Sequence, residues 1–319
     1  MESFFEPVAE SLKLVEDRMR AQTEGYHPEL GAALNHLLSS GGKRIRPAVT
    51  LLAGGVIGGE LEKSIIMGAA VELLHTATLV HDDLIDESLM RRGNPTLNAR
   101  WSAAATVLTG DFLFARAAKL ASELDSPPAL RLFAETLAII VNGELTQMFT
   151  SRGKVSREDY YRRIYAKTAS LFETATTSVA MLCSADDELL NKMRQYGYEI
   201  GMAFQMVDDI LDFNGEQARV GKPVANDLRQ GLVTLPALYY LEAYPDDANM
   251  QTVLHAPRCD EDCYAHLLYS IRKSGAIQQA ADEARQYVRR GIAAITDFPP
   301  SEYRQGLMEL AEYIVDRKF

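Results

Sequence analysis

From Ile66 to Leu84 the apolar side chains recur at intervals of three and four: Ile66, Ala69, Ala70, Leu73, Leu74, Ala77, Val80 and Leu84. That spacing lines one face of an α-helix and does not fit a strand, whose side chains alternate with period two. The same rhythm runs through 102–122, 129–149, 169–183, 188–213, 232–243 and 275–295, and no alternation of strand and helix is present. Ser39-Ser40-Gly41-Gly42, Gly54-Gly55, Gly58-Gly59, Ser126-Pro127-Pro128 and Phe298-Pro299-Pro300 punctuate these segments as turns. Arg91-Arg92-Gly93, with Pro95 beyond, reads as the stop of the helix that begins near Ile66. With no polar linker or low-complexity stretch, the prediction is all-α, one domain over residues 1–319.

Two of the helical segments carry the same acidic pattern, Asp82-Asp83-Leu84-Ile85-Asp86 and Asp208-Asp209-Ile210-Leu211-Asp212. Residues four apart on a helix lie within about 40° of each other. Asp82 therefore shares a face with Asp86, and Asp208 with Asp212. His75 extends the first stripe and Gln205 the second. Apolar residues, Leu79-Val80 and Met206-Val207, precede each cluster. Partly buried carboxylates without a counter-charge are costly, and a divalent cation removes that cost. Mg²⁺ suits short aspartates, because it takes one or two carboxylates and fills its shell with phosphate oxygens and water. A lone cluster would read equally as a solvated acidic face; two inside apolar helices do not. His81-Asp82 is also the dipeptide of His-Asp phosphohydrolases, but His27, His36, His255 and His266 have no supporting motif.

The net charge of −11 argues against nucleic acid as a partner and requires any anionic ligand to meet locally concentrated cations. Three segments supply them. Gly41-Gly42-Lys43-Arg44-Ile45-Arg46-Pro47 places three cations at a helix start, Arg91-Arg92 follows the first aspartate motif, and Gly221-Lys222-Pro223 with Asp227 follows the second. Cys183, Cys259 and Cys263 read as reduced thiols of a cytoplasmic protein; Cys259 and Cys263 lack the partners a zinc site needs. Neither an export signal nor an uninterrupted transmembrane run of about 18 apolar residues is expected.

Taken together, Gly-Gly-Lys43-Arg44-Ile-Arg46-Pro, Glu72-Leu-Leu-His75 through Asp86, Met90-Arg91-Arg92-Gly93, Gly110-Asp111, Lys167-Thr168-Ala169, Phe204-Gln205 through Asp212 and Gly221-Lys222-Pro resemble the trans-isoprenyl diphosphate (polyprenyl) synthases over nearly the whole chain. The resemblance implies the isoprenoid synthase type I fold, a helical bundle around a deep central cavity, usually as a homodimer. It implies that Asp82, Asp86 and Asp208, with Asp212 or Asp83 assisting through water, hold three Mg²⁺ on an allylic diphosphate. Lys43, Arg46, His75 and Arg92 would bind isopentenyl diphosphate, which carries no metal. Arg91, Lys167 and Lys222 would add charge at the allylic diphosphate, and Arg317 would close over the isopentenyl site. Thr168 and Gln205 would offer oxygen dipoles to the allylic cation.

Two positions depart from the family pattern. Leu232 stands where many relatives have lysine, and Ala225 where they have glycine. In this family the residues four and five before the first motif form the floor that limits chain length. Here they are Thr78 and Ala77, both small. The expected product is therefore long, heptaprenyl to decaprenyl, with geranylgeranyl or farnesyl diphosphate as alternatives. Deeper stops would come from Leu73, Leu74, Phe112, Phe114, Ile139 or Ile140. A terpene cyclase would have replaced the second aspartate motif, and a non-catalytic subunit would have lost the aspartates. An accessory small subunit stays open, and no membrane insertion is expected.

Overall fold

A computed structural model describes residues 2–40, 42–149, 155–214, 224–255 and 259–317. The chain is all-α as expected: among the described residues the strands are one two-residue pair, β1 (Met90–Arg91) and β2 (Asn94–Pro95). Its Cα positions divide into two compact units.

The first unit comprises Met1–Ala138, Leu171–Gly197 and Ala294–Leu310. Its axis is α4 (Leu61–Ile85), which packs along α1 (Ala9–Arg20), α3 (Ile45–Val56) and α6 (Ala103–Ser122). Enclosure on several sides explains why α4 is apolar almost all round rather than striped. By length and composition it is apolar enough to cross a membrane, yet most of it is buried within the protein. Gly110 lets α6 approach: a Cβ there would collide with the His81 imidazole of α4. Helix α9 (Ser170–Leu182) contributes buried hydroxyls to this unit; Thr174 bonds Thr136 of α7 (Pro127–Phe149) at 2.5 Å.

The end of α4 corrects the expected helix stop. The helix ends at Ile85, not at Arg91-Arg92. Glu87 adopts φ 51°, its N–H reaches Leu84 O at 3.2 Å, and the Ser88 N–H reaches Asp83 O at 2.8 Å. This is a left-handed helix cap closed without glycine, which is why a search for glycine placed it too late. Beyond it, β1 and β2 form a two-residue hairpin. Arg92 (φ 51°) and Gly93 (φ 78°) occupy its tip, the pair of positive φ values that matches the twist of the strands. His36 of α2 (Pro28–Ser39) bonds Pro95 O at 2.8 Å and ties the hairpin down.

The second unit comprises Ile139–Ser170, Tyr198–Ala293 and Ala311–Phe319. Helix α8 (Arg157–Ile164) runs into a π-helical turn over Tyr165–Ala169. The carboxyl-terminal part of α10 (Asp187–Asn214) carries the second aspartate motif. Arg272 of α14 (Glu261–Lys273) donates to Phe213 O from Nε at 2.9 Å and Nη2 at 2.5 Å, covering one of the carbonyls that a helix end leaves unpaired. Arg157 joins Glu242 of α12 (Leu235–Ala243) to Glu283 of α15 (Ala276–Ile295). Cys259 and Cys263 are bonded as a disulfide with Cα atoms 5.9 Å apart, which corrects the expectation of reduced thiols for this pair. Cys183 keeps its thiol, its pKa raised by burial.

Candidate active site

In the first unit the open stripe of α4 runs through His75, Thr78, Leu79 and Asp82, all partly exposed, to Asp86 beyond its last turn. The sequence placed His75, Asp82 and Asp86 on that stripe, and the structure keeps them there. Thr78 belongs to it, its hydroxyl bonded to His75 O at 2.8 Å, whereas Ala77 lies fully buried. The middle aspartate turns inward. Asp83 is 4% exposed and accepts from Arg91 Nε at 2.8 and 3.0 Å and from an Arg91 Nη at 2.8 Å. Arg91, expected at a diphosphate, is thus anchored by a forked pair that leaves the hairpin tip to present Arg92.

Around His75 the chain gathers cations. Burial, then Arg46, Arg92, Arg91 and Arg44 in decreasing order, hold its imidazole well below the ordinary histidine range, so it is neutral at pH 7. Arg44 itself is structural: it bonds Glu16 at 2.8 Å, Leu38 O at 2.8 Å and Glu72 at 3.4 Å. Gly42 fits between two guanidiniums, since a Cβ there would meet Arg44 Nη1 at 2.7 Å and Arg92 Nη1 at 2.8 Å. Arg46 stacks 4.9 Å over the Phe172 ring, and Lys43 is exposed. Arg46 and Arg92 flank one uncharged imidazole, backed by Arg44 and Arg91 that are each paired with carboxylates, a cationic cluster suited to a multiply charged anion.

In the second unit the aspartates are more enclosed. Asp212 is 3% exposed, and its two oxygens accept the Asn226 and Asp227 N–H groups at 3.2 and 3.3 Å, at the start of α11 (Asn226–Arg229). Ala225 precedes that helix at φ 54°, the left-handed conformation that glycine adopts without strain. Asp208 pairs with Arg317 at 2.9 Å, and the Arg317 guanidinium lies 4.3 Å over the Phe204 ring. Arg317, expected over the isopentenyl site, stands instead on an aspartate of the second motif.

Gln205 was placed on the Asp208 stripe; its amide is in fact tied one turn on, Nε2 donating to Asp209 at 2.8 Å. Its Oε1 accepts the Thr168 hydroxyl at 2.6 Å. Thr168 sits in the π-turn, where one extra residue per turn re-aims side chains, with Lys167 exposed beside it. Tyr160 of α8 donates to Asp209 at 2.8 Å, a contact 49 positions distant that no local pattern signals. Burial and the neighbouring Asp227 push the Asp209 carboxyl up to about 7, against the pull of Gln205, Tyr160 and Arg163. Lys222 lies outside the described residues. Of the deeper stops, Leu73, Leu74 and Ile140 are buried core, Phe112 packs edge-on to Tyr26 and Phe114 to His81.

A family model described as polyprenyl synthetase matches residues 27–270. Component 2 of the heptaprenyl diphosphate synthase of Geobacillus stearothermophilus is 35% identical, over 100% of this chain and 99% of that protein. The octaprenyl diphosphate synthase of Escherichia coli (strain K12) is 35% identical over 88% of each chain. A polyprenyl synthase from Caulobacter crescentus CB15, solved as a complex with calcium and isoprenyl diphosphate, superimposes with a TM-score of 0.92 at 33% identity. It covers 99% of this chain and 98% of that one.

Proposed function

The chain belongs to the polyprenyl synthetase family, so it is a prenyltransferase that adds isopentenyl diphosphate head-to-tail to an allylic diphosphate, and we propose how its residues divide that work. The product is a long trans-polyprenyl diphosphate in the heptaprenyl to decaprenyl range. The cationic pocket about His75 carries the reading: Arg46, Arg92 and Lys43 receive isopentenyl diphosphate, and the neutral imidazole adds a hydrogen bond without adding charge.

Mg²⁺ fits the aspartates. Among the described residues no group of three or more His, Cys, Asp or Glu side chains is gathered closely enough to hold a metal alone. Mg²⁺ in phosphate sites works that way, with few carboxylates and substrate oxygens for the rest. At Asp208 the Arg317 guanidinium already stands where a cation is wanted. Asp82, Asp86 and Asp208 would hold the ions, with Asp212 assisting; when bound, they neutralise the charge that develops on the leaving diphosphate. Lys167 and Lys222 add charge at the same diphosphate.

The allylic C–O bond breaks with its electron pair leaving on the diphosphate. The C3–C4 double bond of isopentenyl diphosphate supplies the electrons of the new C–C bond, and a proton departs to the released diphosphate. Thr168 and Gln205 present oxygen to the cation and form no bond to it. Apolar walls exclude the water that would trap it.

The small side chain of Thr78 on the open stripe leaves the growing chain room, each buried CH₂ contributing about 0.8 kcal/mol, while Ala77 is packed in the core behind it. A homodimer is part of this reading. In the second unit α7 exposes Val141, Leu145, Met148 and Phe149, apolar surface suited to a second copy. The test is to incubate the purified chain alone with an allylic primer, isopentenyl diphosphate and Mg²⁺, and to read product length. Heptaprenyl to decaprenyl diphosphate is expected, shortened by Thr78→Phe. A farnesyl or geranylgeranyl product from the unaltered chain overturns the length, a cyclic product overturns elongation, and no product without a second component overturns the self-sufficient enzyme.

A further inference from the structure

Asp209 has no place in the metal assignment, yet it is 3% exposed and is met by two side chains from different parts of the second unit. Both meet it as hydrogen-bond donors: the Tyr160 hydroxyl at 2.8 Å on Oδ2 and the Gln205 amide nitrogen at 2.8 Å on Oδ1. With one donor on each of its oxygens, the Asp209 carboxyl serves as acceptor to both neighbours, and that fixes which end of the Gln205 amide turns toward it. The other end, Oε1, is thereby presented to the Thr168 hydroxyl at 2.6 Å. Because the Thr168 proton is committed to Gln205, the lone pairs of the Thr168 oxygen point elsewhere. The result is a directional chain, Tyr160 and Gln205 into Asp209, Thr168 into Gln205, in which the Thr168 hydrogen is taken up by Gln205 Oε1 and the remaining lone pairs of the Thr168 and Gln205 oxygens are left for an allylic cation.

We propose that Asp209 and Tyr160 are positioning residues that lock Gln205 and Thr168 with their oxygens, not their hydrogens, toward the reacting cation, and that Asp209 is not a metal ligand. The reason for a buried carboxylate here is the sign of the field. A reversed Gln205 amide would turn its NH₂ toward the cation and raise the barrier, whereas a fixed carbonyl dipole lowers it without reorganising. Tyr160 completes the carboxylate's acceptor set from the side away from Gln205, so that Asp209 does not swing. The π-turn over Tyr165–Ala169 serves the same end, since it brings the Thr168 hydroxyl to Gln205 from a helix whose regular turns would carry it past.

This inference rests on the elongation reading, and the unaltered enzyme is the control that separates the two. Asp209→Asn keeps the size and lets the amide of residue 209 donate as well as accept, so Gln205 loses its fixed orientation. Its kcat is expected to fall about 100-fold, with KM for both substrates within about threefold of the unaltered value. Calorimetric titration of Mg²⁺ with an allylic thiodiphosphate that does not ionise should give an unchanged affinity. Tyr160→Phe should lower kcat about tenfold, again without a change in KM. If Asp209→Asn fails to fold by circular dichroism, Tyr160→Phe decides alone. A tenfold or greater loss of Mg²⁺ affinity in Asp209→Asn would make Asp209 a ligand and overturn the proposal, as would folded variants with unaltered kcat. An unaltered enzyme that makes no polyprenyl product would sink the elongation reading, and the relay with it; active enzyme with active variants sinks the relay only.

Discussion

The two aspartate motifs share a spelling and differ in their surroundings. In both, the middle aspartate is buried and the first is half-exposed. Asp83 is neutralised by a guanidinium, the forked Arg91. Asp209 accepts from two neutral donors, Tyr160 and Gln205, and its carboxyl is pushed up to about 7. The last aspartates differ as well: Asp86 is exposed at a helix end, while Asp212 holds the backbone of Asn226 and Asp227. One motif therefore anchors a basic hairpin, and the other anchors an uncharged relay. A repeated motif can keep its spacing while its inward residue is used for whatever the neighbouring elements need.

The largest effect that could break the comparison comes from the outward residues, which it treats as equivalent. Asp82→Ala and Asp208→Ala should each lower turnover about 10³-fold or more at saturating Mg²⁺. Near-wild-type steady-state rates in either would end its role as a ligand. The inward pair should show up in stability instead. Arg91→Ala leaves Asp83 buried without its counter-charge, at a cost of about 2–3 kcal/mol in urea unfolding, discounted for the partial exposure of the arginine; an unchanged midpoint would make the hairpin anchor irrelevant.

Acidification probes the basic pocket. The folded pKa of His75 lies below its unfolded value of about 6.5, so the unfolded chain takes up a proton that the folded chain refuses. Stability should therefore fall with pH from about 6.5 downward, and His75→Gln should flatten that slope in urea titrations repeated across pH; an identical slope would remove His75 from the cationic cluster. Arg317 sharpens the second motif: Arg317→Gln should tighten Mg²⁺ binding about two- to fivefold by calorimetry, the worth of a partly exposed ion pair. Weaker binding would show that Arg317 supports the site and does not compete with the ion. The smallest effect is at Ala225, held at φ 54°: Ala225→Gly should stabilise by about 0.5–1 kcal/mol in urea unfolding.

Much of the site was legible because its logic is local. Four-residue spacing puts Asp82 with Asp86 and His75 on their stripe whatever else the chain does, and a period of 3.6 makes the fold helical. The hairpin tip was misread because Glu87 closes α4 in the left-handed conformation without a glycine to announce it. The partner of Gln205 was not legible because the wheel offers it two neighbours, Asp208 and Asp209, and only the tertiary structure selects one.

The sequence by itself thus determined the all-α class, the two acidic stripes, the basic segments beside them and, through their combined order, the family. Tertiary structure alone decided which aspartate of each motif turns inward and what meets it there. Tyr160 reaches Asp209 across 49 positions and Arg317 reaches Asp208 across 109. Periodicity states which way a side chain points on its own helix. Which group waits there depends on how distant segments pack, and burial then sets whether a carboxylate is neutralised by a charge, by neutral donors or by a bound cation.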